Sequence, residues 1–292
     1  MRLHLVDGTY ELFRAHYSPG PSRVDPEGRD VKATVGIANM LLGLLDDDDE
    51  AVTHLAVAFD NPIESFRNEL FEGYKDGSEV EAALKAQFDL AEEVVAALGV
   101  AVWSMQEYEA DDALATGARA WADRVTQVRI LTPDKDLGQV VEGDRIVQVD
   151  RGRRREYDED GVVDRLGVAP ASVPDHLALV GDTADGIPGL PGFGAKTSAT
   201  LLGRYGHLEH IPEDPSTWDV TVRGAAKLGA TLAERRDDAL LYRDLATLRT
   251  DVELPHDLDA LEWRGAHEGT WPALCDRLGS TRLRGRPSRW RS

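Results

Sequence analysis

Three short β-rich runs each close on an aspartate: RLHLVD on Asp7, THLAVAFD on Asp60 and VRILTPD on Asp134. Helical patterns separate them. Leu84, Phe88, Ala91, Val95 and Leu98 recur at steps of four and three, so they share one helix face. EADDALATGARAWADR, residues 109–124, reads as a helix whose first turn is acidic, where the helix dipole favours carboxylates. VAVW (100–103) and RIVQVD (145–150) read as further strands. Strand–helix alternation confines the chain to the α/β class, with a largely parallel sheet flanked by helices. Ligand sites in such sheets lie at the carboxyl ends of the strands. The placement of Asp7, Asp60 and Asp134 is therefore the first functional signal. Any one of them is explained by aspartate's liking for turns. That explanation weakens for three, two of which have more carboxylates beside them.

After about Val162 the pattern changes to helices punctuated by Pro170, Pro174, Pro188, Pro191, Pro212 and Pro215. This predicts two domains, 1–161 and a helical 162–292. With 42% hydrophobic residues the chain can build a substantial core. Its longest apolar run, about residues 36–45, is too short to span a bilayer. The N-terminus reads as a strand rather than a signal peptide. The single Cys275 excludes an internal disulfide framework and a cysteine zinc cluster. A cytoplasmic protein with no membrane partner is the expectation. The net charge of −20 argues against a nucleic-acid partner unless basic groups are concentrated locally. DDDDE (46–50) reads as a solvated loop. RGRRR (151–155) and RLRGRPSRWRS (282–292) are basic clusters, but only six of the 33 basic residues are lysines. That bias fits genome composition as well as function.

Nine carboxylates stand out: Asp7, Asp60, Glu109, Asp111, Asp112, Asp134, Asp136, Asp182 and Asp185. Glu109 and Asp112 share a helix face. Asp134 and Asp136 have the two-residue spacing that returns to one side of a strand. Two unit charges about 4 Å apart repel by roughly 4 kcal/mol at an effective dielectric near 20. If these groups converge, either their pKa values rise or divalent cations fill the pocket. Carboxylate oxygens without His or Cys select Mg²⁺ or Mn²⁺ over Zn²⁺. A two-cation site of this kind suits phosphodiester hydrolysis. Two look-alikes fail. VDGT lacks the aspartate two residues before Asp7 that a haloacid-dehalogenase-type phosphatase needs; Leu5 stands there. GLPGFGAKT lacks the glycine directly before lysine that a Walker motif needs; Ala195 stands there.

DGTYELFRAHY, FDNPIESFRNELFEGYK, EADDALA, LTPDKDLGQVV and GDTADGIPGLPGFGAKTSATLL occur in an order that resembles the bacterial 5′-3′ exonuclease/flap endonuclease family. That family includes the 5′-nuclease domain of DNA polymerase I, the phage 5′ nucleases and, more distantly, eukaryotic flap endonucleases. The resemblance covers about residues 3–205. It implies a PIN-like nuclease domain with a helical arch at about residues 61–99, and a helix–three-turn–helix DNA-binding extension. It implies a stand-alone nuclease that cuts DNA near a 5′ single-strand/duplex junction in replication and repair. Its substrates would be DNA with a 5′ flap or a 5′ end near duplex, or an RNA–DNA hybrid, and it would act as a monomer. By motif position, Asp7, Asp60, Glu109, Asp111, Asp112 and Asp134 fall where the family builds its tighter metal site. Asp136, Asp182 and Asp185 fall where it builds the second, for two Mg²⁺ or Mn²⁺ in all.

The same resemblance places Arg67 and Lys75 at the base of the arch, contacting the scissile phosphate. Arg67 pairing with Glu64, and Lys75 as a solvated loop residue, are equally open readings. Tyr10 and Arg14 follow the first aspartate. Tyr10 either stacks on an unpaired base or belongs to the core. Gly192, Gly194, Lys196 and Thr197 would meet duplex backbone, with K⁺ in the 189–197 hairpin. Three departures occur: acidic YKDGSEVE after the arch lysine, Pro133 in TPDKD, and Gly186 where the family has asparagine. A PIN-type ribonuclease and a non-catalytic DNA-junction binder are the alternatives. The hairpin speaks against the first, and the filled carboxylate positions against the second.

Overall fold

RLHLVD and HLAVAFD are apolar at nearly every position rather than alternately, the mark of strands covered on both faces. In the computed structural model, which describes residues 1–292, they form β1 (Arg2–Asp7) and β2 (His54–Asp60). The other strands are β3 (Ala101–Met105), β4 (Gln127–Leu131), β5 (Ile146–Asp150), β6 (Arg155–Tyr157), β7 (Ala266–His267) and β8 (Trp290–Arg291). The helices are α1 (Gly8–Tyr17), α2 (Lys32–Leu45), α3 (Arg67–Leu70), α4 (Ala82–Lys85), α5 (Phe88–Ala97) and α6 (Ala110–Trp121). They continue with α7 (Glu159–Leu166), α8 (Val173–Val180), α9 (Ala195–Tyr205), α10 (Ala225–Glu234), α11 (Arg236–Ala246) and α12 (Trp271–Arg277). Two compact units result. The first holds Met1–Ser65, Gly77–Thr132 and Thr250–Ser292; the second holds Phe66–Asp76 and Pro133–Arg249.

In the first unit the strands run parallel in the order β3-β2-β1-β4. Asp7 registers with Ala58, Val6 with Leu131 and Asp60 with Met105, so the carboxyl ends of β1, β2 and β4 lie side by side. α1 packs on α2, α2 on α5, and α6 on the strands. The apolar stripe at Leu84, Phe88, Ala91, Val95 and Leu98 is buried as its spacing predicts. It is carried by two helices rather than one. The break falls at Gln87, whose buried side chain accepts the Thr34 N–H (3.1 Å) and donates to Ala83 O (3.0 Å). The stretch expected to form an arch, about 61–99, is thus divided. α5 serves the core of the first unit, and residues 66–76 belong to the second. Gly99 ends α5 at φ +74°, and a Cβ there would lie 2.1 Å from Gly265 O.

The compact units do not follow the sequence boundary at 161/162. Residues 250–292 join the sheet unit because their aromatics bury there. The Trp263 indole donates to Leu98 O (2.9 Å) and its backbone N–H to Thr53 O (3.0 Å). β8 pairs with β7, and Arg289 donates to Trp263 O (3.1 Å), so the tail's arginines are partly spent on folding. In the second unit, β5 and β6 form an antiparallel hairpin whose tip is the RGRRR cluster. α8 packs on α9 and α11 through Val173, Leu177, Leu201, Tyr242 and Leu245. No helix is long and apolar enough to cross a membrane.

Asp46–Asp49 are exposed, as a solvated loop should be, but Glu50 is not. It takes a hydrogen bond from His4 Nε2 (3.1 Å) and one from Arg129 Nε (2.8 Å). The His4 hydrogen bond, then the Arg129 charge, outweigh burial and bring its carboxyl from 4.5 down to about 2. The folded value lies below the unfolded one. The stabilisation is therefore present above pH 4.5 and lost as pH falls from there toward 2. Glu50→Gln should remove at most about 3 kcal/mol at neutral pH. It should also flatten the acid limb of stability between pH 4.5 and 2, read by urea denaturation across that range. An unchanged acid limb would show that the pair carries no net stabilisation.

Candidate active site

In the first unit Asp7, Asp60, Glu109 and Asp112 are each held by a neighbour. Asp7 ends β1 and caps α1: Oδ1 accepts the Tyr10 N–H (2.8 Å) and Oδ2 accepts the Thr132 hydroxyl (2.9 Å). Gly8 is required there, because a Cβ would lie 2.6 Å from the Phe59 ring. Thr9 Oγ1 accepts the Asp60 N–H (2.8 Å), tying the ends of β1 and β2 together. Asp60 Oδ1 accepts the Ala110 N–H (2.7 Å), so it rests on the positive end of α6. Glu109 caps α6 in a reciprocal box with Asp112, whose Oδ2 accepts the Glu109 N–H (3.0 Å). The Ser65 hydroxyl donates to Glu109 Oε1 (2.8 Å). The start of α6 therefore gathers Asp60, Glu109 and Asp112, with Asp111 half-buried in its first turn. Asp112 is fully buried and orients Glu109 from behind.

In the second unit the expected strand through Asp134 and Asp136 is a 3₁₀ helix, Lys135–Val140. The exposed Asp134 caps it by accepting the Asp136 N–H (3.0 Å), the local bond through which aspartate diverts chain from strand. Asp182 and Asp185 sit in a loop closed by paired Asp182–Ile187 backbone bonds (2.8 Å each). Gly186 turns this loop at φ +77°, where a Cβ would lie 2.1 Å from Gly73 O, which accounts for glycine in place of asparagine. Asp136, Asp182 and Asp185 bring one oxygen each within 4.8 Å of one another. All three are buried, and Asp136 Oδ1 accepts no hydrogen bond. Burial, then the charges of Asp134 and Asp185, push the Asp136 carboxyl well above the usual range. A buried, all-oxygen cluster with an oxygen that accepts no hydrogen bond fits a hard divalent cation.

Two lysines stand on this cluster. Lys135 Nζ bonds Asp182 Oδ2 and lies 3.5 Å from Asp136 Oδ1. Burial would lower its pKa, but Asp136 and Asp182 raise it overall. Lys75 Nζ lies 2.8 Å from Asp185 Oδ1, and its N–H donates to Asp185 O (3.1 Å). Arg67 differs from the expected phosphate contact. It is 1% exposed; Nε donates to Leu245 O (2.8 Å) and Nη2 to Thr247 O (3.0 Å), with its guanidinium over the Phe66 ring. It holds the end of α11. Tyr10 is half-buried, and Arg14 is exposed and pairs with Glu11 (Nε–Oε2 2.8 Å). Gly192 (φ +91°) and Gly194 lead into α9, with Lys196 exposed in its first turn. Ser65, Thr132 and Lys135 were missed from sequence. Only Lys135, between two expected ligands, carried a local signal.

A family model for the 5′-3′ exonuclease N-terminal resolvase-like domain matches residues 2–167. One for the 5′-3′ exonuclease C-terminal SAM fold matches residues 168–269. DNA polymerase I of Pseudomonas aeruginosa is 38% identical over 268 residues, 89% of this chain and 28% of that protein. The chain spans about a quarter to a third of the length of the curated relatives it matches. Among solved structures, the D15 flap endonuclease of phage T5, in a complex with DNA and metal ions, superposes with a TM-score of 0.64. It is 17% identical and covers 97% of this chain and 99% of that one. The catalytic core of Rad2 with DNA substrate gives 0.61 at 16% identity, covering 95% and 88%. These two likenesses establish the shared fold. With both domain models matched in order, the chain belongs to the 5′-3′ exonuclease family.

Proposed function

We propose that this chain is a metal-dependent, structure-specific 5′ nuclease. It would act as flap endonuclease and 5′→3′ exonuclease near 5′ single-strand/duplex junctions in replication and repair. The observation that carries this reading is the buried Asp136–Asp182–Asp185 cluster, in which Asp136 Oδ1 accepts no hydrogen bond. These three would hold one divalent cation, Mg²⁺ or Mn²⁺. Asp7, Asp60, Glu109 and Asp111 in the first unit would hold another. Cations held by these residues would supply a lowered pKa for bound water and uptake of the charge that develops on the phosphate.

The chain's own groups do the rest. Thr132 and the Tyr10 N–H keep both Asp7 oxygens in place. Asp112 and Ser65 do so for Glu109. Lys75, whose ammonium is held by Asp185, offers positive charge to a phosphate. At the hairpin before α9, the N–H groups from Ala195 to Thr197 have no helical partner and would face duplex phosphate, without reading sequence. K⁺ in the 189–197 hairpin, RNA–DNA hybrid as substrate, action as a monomer and a cytoplasmic location complete the reading.

Labelled 5′-flap DNA in Mg²⁺ or Mn²⁺, with a chelator control, tests it. Junction-proximal cleavage is expected. Preference for single-stranded RNA would favour a PIN-type ribonuclease, and tight binding without cleavage a junction-binding protein. Lys196→Ala should lower affinity for duplex-containing substrates and reduce the salt slope of binding by about 0.9. An equal loss on single strands would remove the duplex-grip role.

A further inference from the structure

The second-unit cluster concentrates negative charge. Four carboxylates, Asp134, Asp136, Asp182 and Asp185, arise within two short segments, and three converge within 4.8 Å. The protein already sets a cation among them. Lys135 Nζ bonds Asp182 Oδ2 and stands 3.5 Å from Asp136 Oδ1, while Lys75 Nζ reaches Asp185. Each carboxylate of the triad thus faces an ammonium, and the two ammoniums together carry the charge of one divalent ion. Lys135 is only partly exposed and projects from the same 3₁₀ turn as Asp136.

We propose that Lys135 is a built-in counter-cation that competes with the divalent ion for Asp136 and Asp182. The inference rests on the triad being a cation site. An ammonium and a divalent ion cannot share the same carboxylate lone pairs, so one must leave as the other enters. Lysine suits this role: a compact charge on a flexible four-carbon stem can swing to solvent without disturbing the backbone. The cluster is kept partly neutralised and folded before an ion arrives, and the cation affinity is set by exchange rather than by binding to bare carboxylates. A hydrogen bond to a charged group is worth enough that losing this competitor should tighten binding roughly ten- to a hundredfold.

The test is calorimetric titration of Mn²⁺ into the full chain, without DNA, for the wild type, Lys135→Met and Lys135→Gln. Asp136→Asn serves as control, and thermal melts are run without metal. Both Lys135 variants should bind Mn²⁺ more tightly, and without metal they should melt lower than the wild type. Rising Mn²⁺ should close that gap. Unchanged or weaker binding in the lysine variants overturns the proposal, since it would mean the ammonium stays with the ion or plays no part. The site reading fails separately: there, Asp136→Asn would bind Mn²⁺ as the wild type does.

Discussion

Asp136→Asn should lower the single-turnover rate of metal-dependent 5′-flap cleavage by roughly three orders of magnitude, several kcal/mol of lost transition-state stabilisation. The amide keeps the shape of the carboxyl but removes one of three charges that face each other within 4.8 Å. Burial and the charges of Asp134 and Asp185 already work against ionisation at this position. Neutralising it therefore relieves repulsion, and the melting temperature without metal should hold or rise. The pairing of a large rate loss with an undiminished fold is what sets a metal-holding carboxylate apart from a structural one. Turnover within a fewfold of wild type would sink the assignment of Asp136. A collapse in stability would mean that the cluster is built for folding.

Arg67→Met should act in the opposite sense, costing about 2–4 kcal/mol of stability in urea denaturation. The guanidinium is buried, and its bonds to Leu245 O and Thr247 O tie the FRNELF segment to the end of α11. Methionine fills much of the volume and leaves those carbonyls, the first buried and the second partly so, without these donors. Lys75→Met, at a partly exposed side chain, should cost little stability and act on the rate. Measured well below the melting transition, the two variants separate a strut from a phosphate contact. If Arg67→Met keeps full stability and loses rate, the strut assignment is wrong.

These two arginine and aspartate positions show how far residues speak for themselves. The strands ending in Asp7 and Asp60 were legible because an unbroken apolar run and its terminal aspartate are adjacent in the chain. The start of α6 was legible for the same reason: Glu109 and Asp112 form their capping box three residues apart. Asp134 was expected to close its strand, but β4 stops at Leu131, three residues earlier. The geometry after it was not legible either, since its side chain takes the Asp136 N–H and bends the chain into a 3₁₀ turn. Arg67 read as a phosphate contact or a partner of Glu64 because its actual partners lie about 180 residues away in α11 and beyond. Thr132 on Asp7 spans 125 positions, and Lys135 on Asp182 spans 47.

The amino-acid sequence by itself determined the α/β class, the carboxylates at strand ends, and the glycines that let the Asp182–Gly194 loop turn. Each follows from periodicity, capping or backbone freedom within a few residues. The tertiary structure decided which charges are spent on folding and which face the cluster. It buried Arg67, set Lys135 and Lys75 on the triad, returned the C-terminal tail to the sheet unit and divided the expected arch. Such choices depend on burial and long-range contact, which no local window contains.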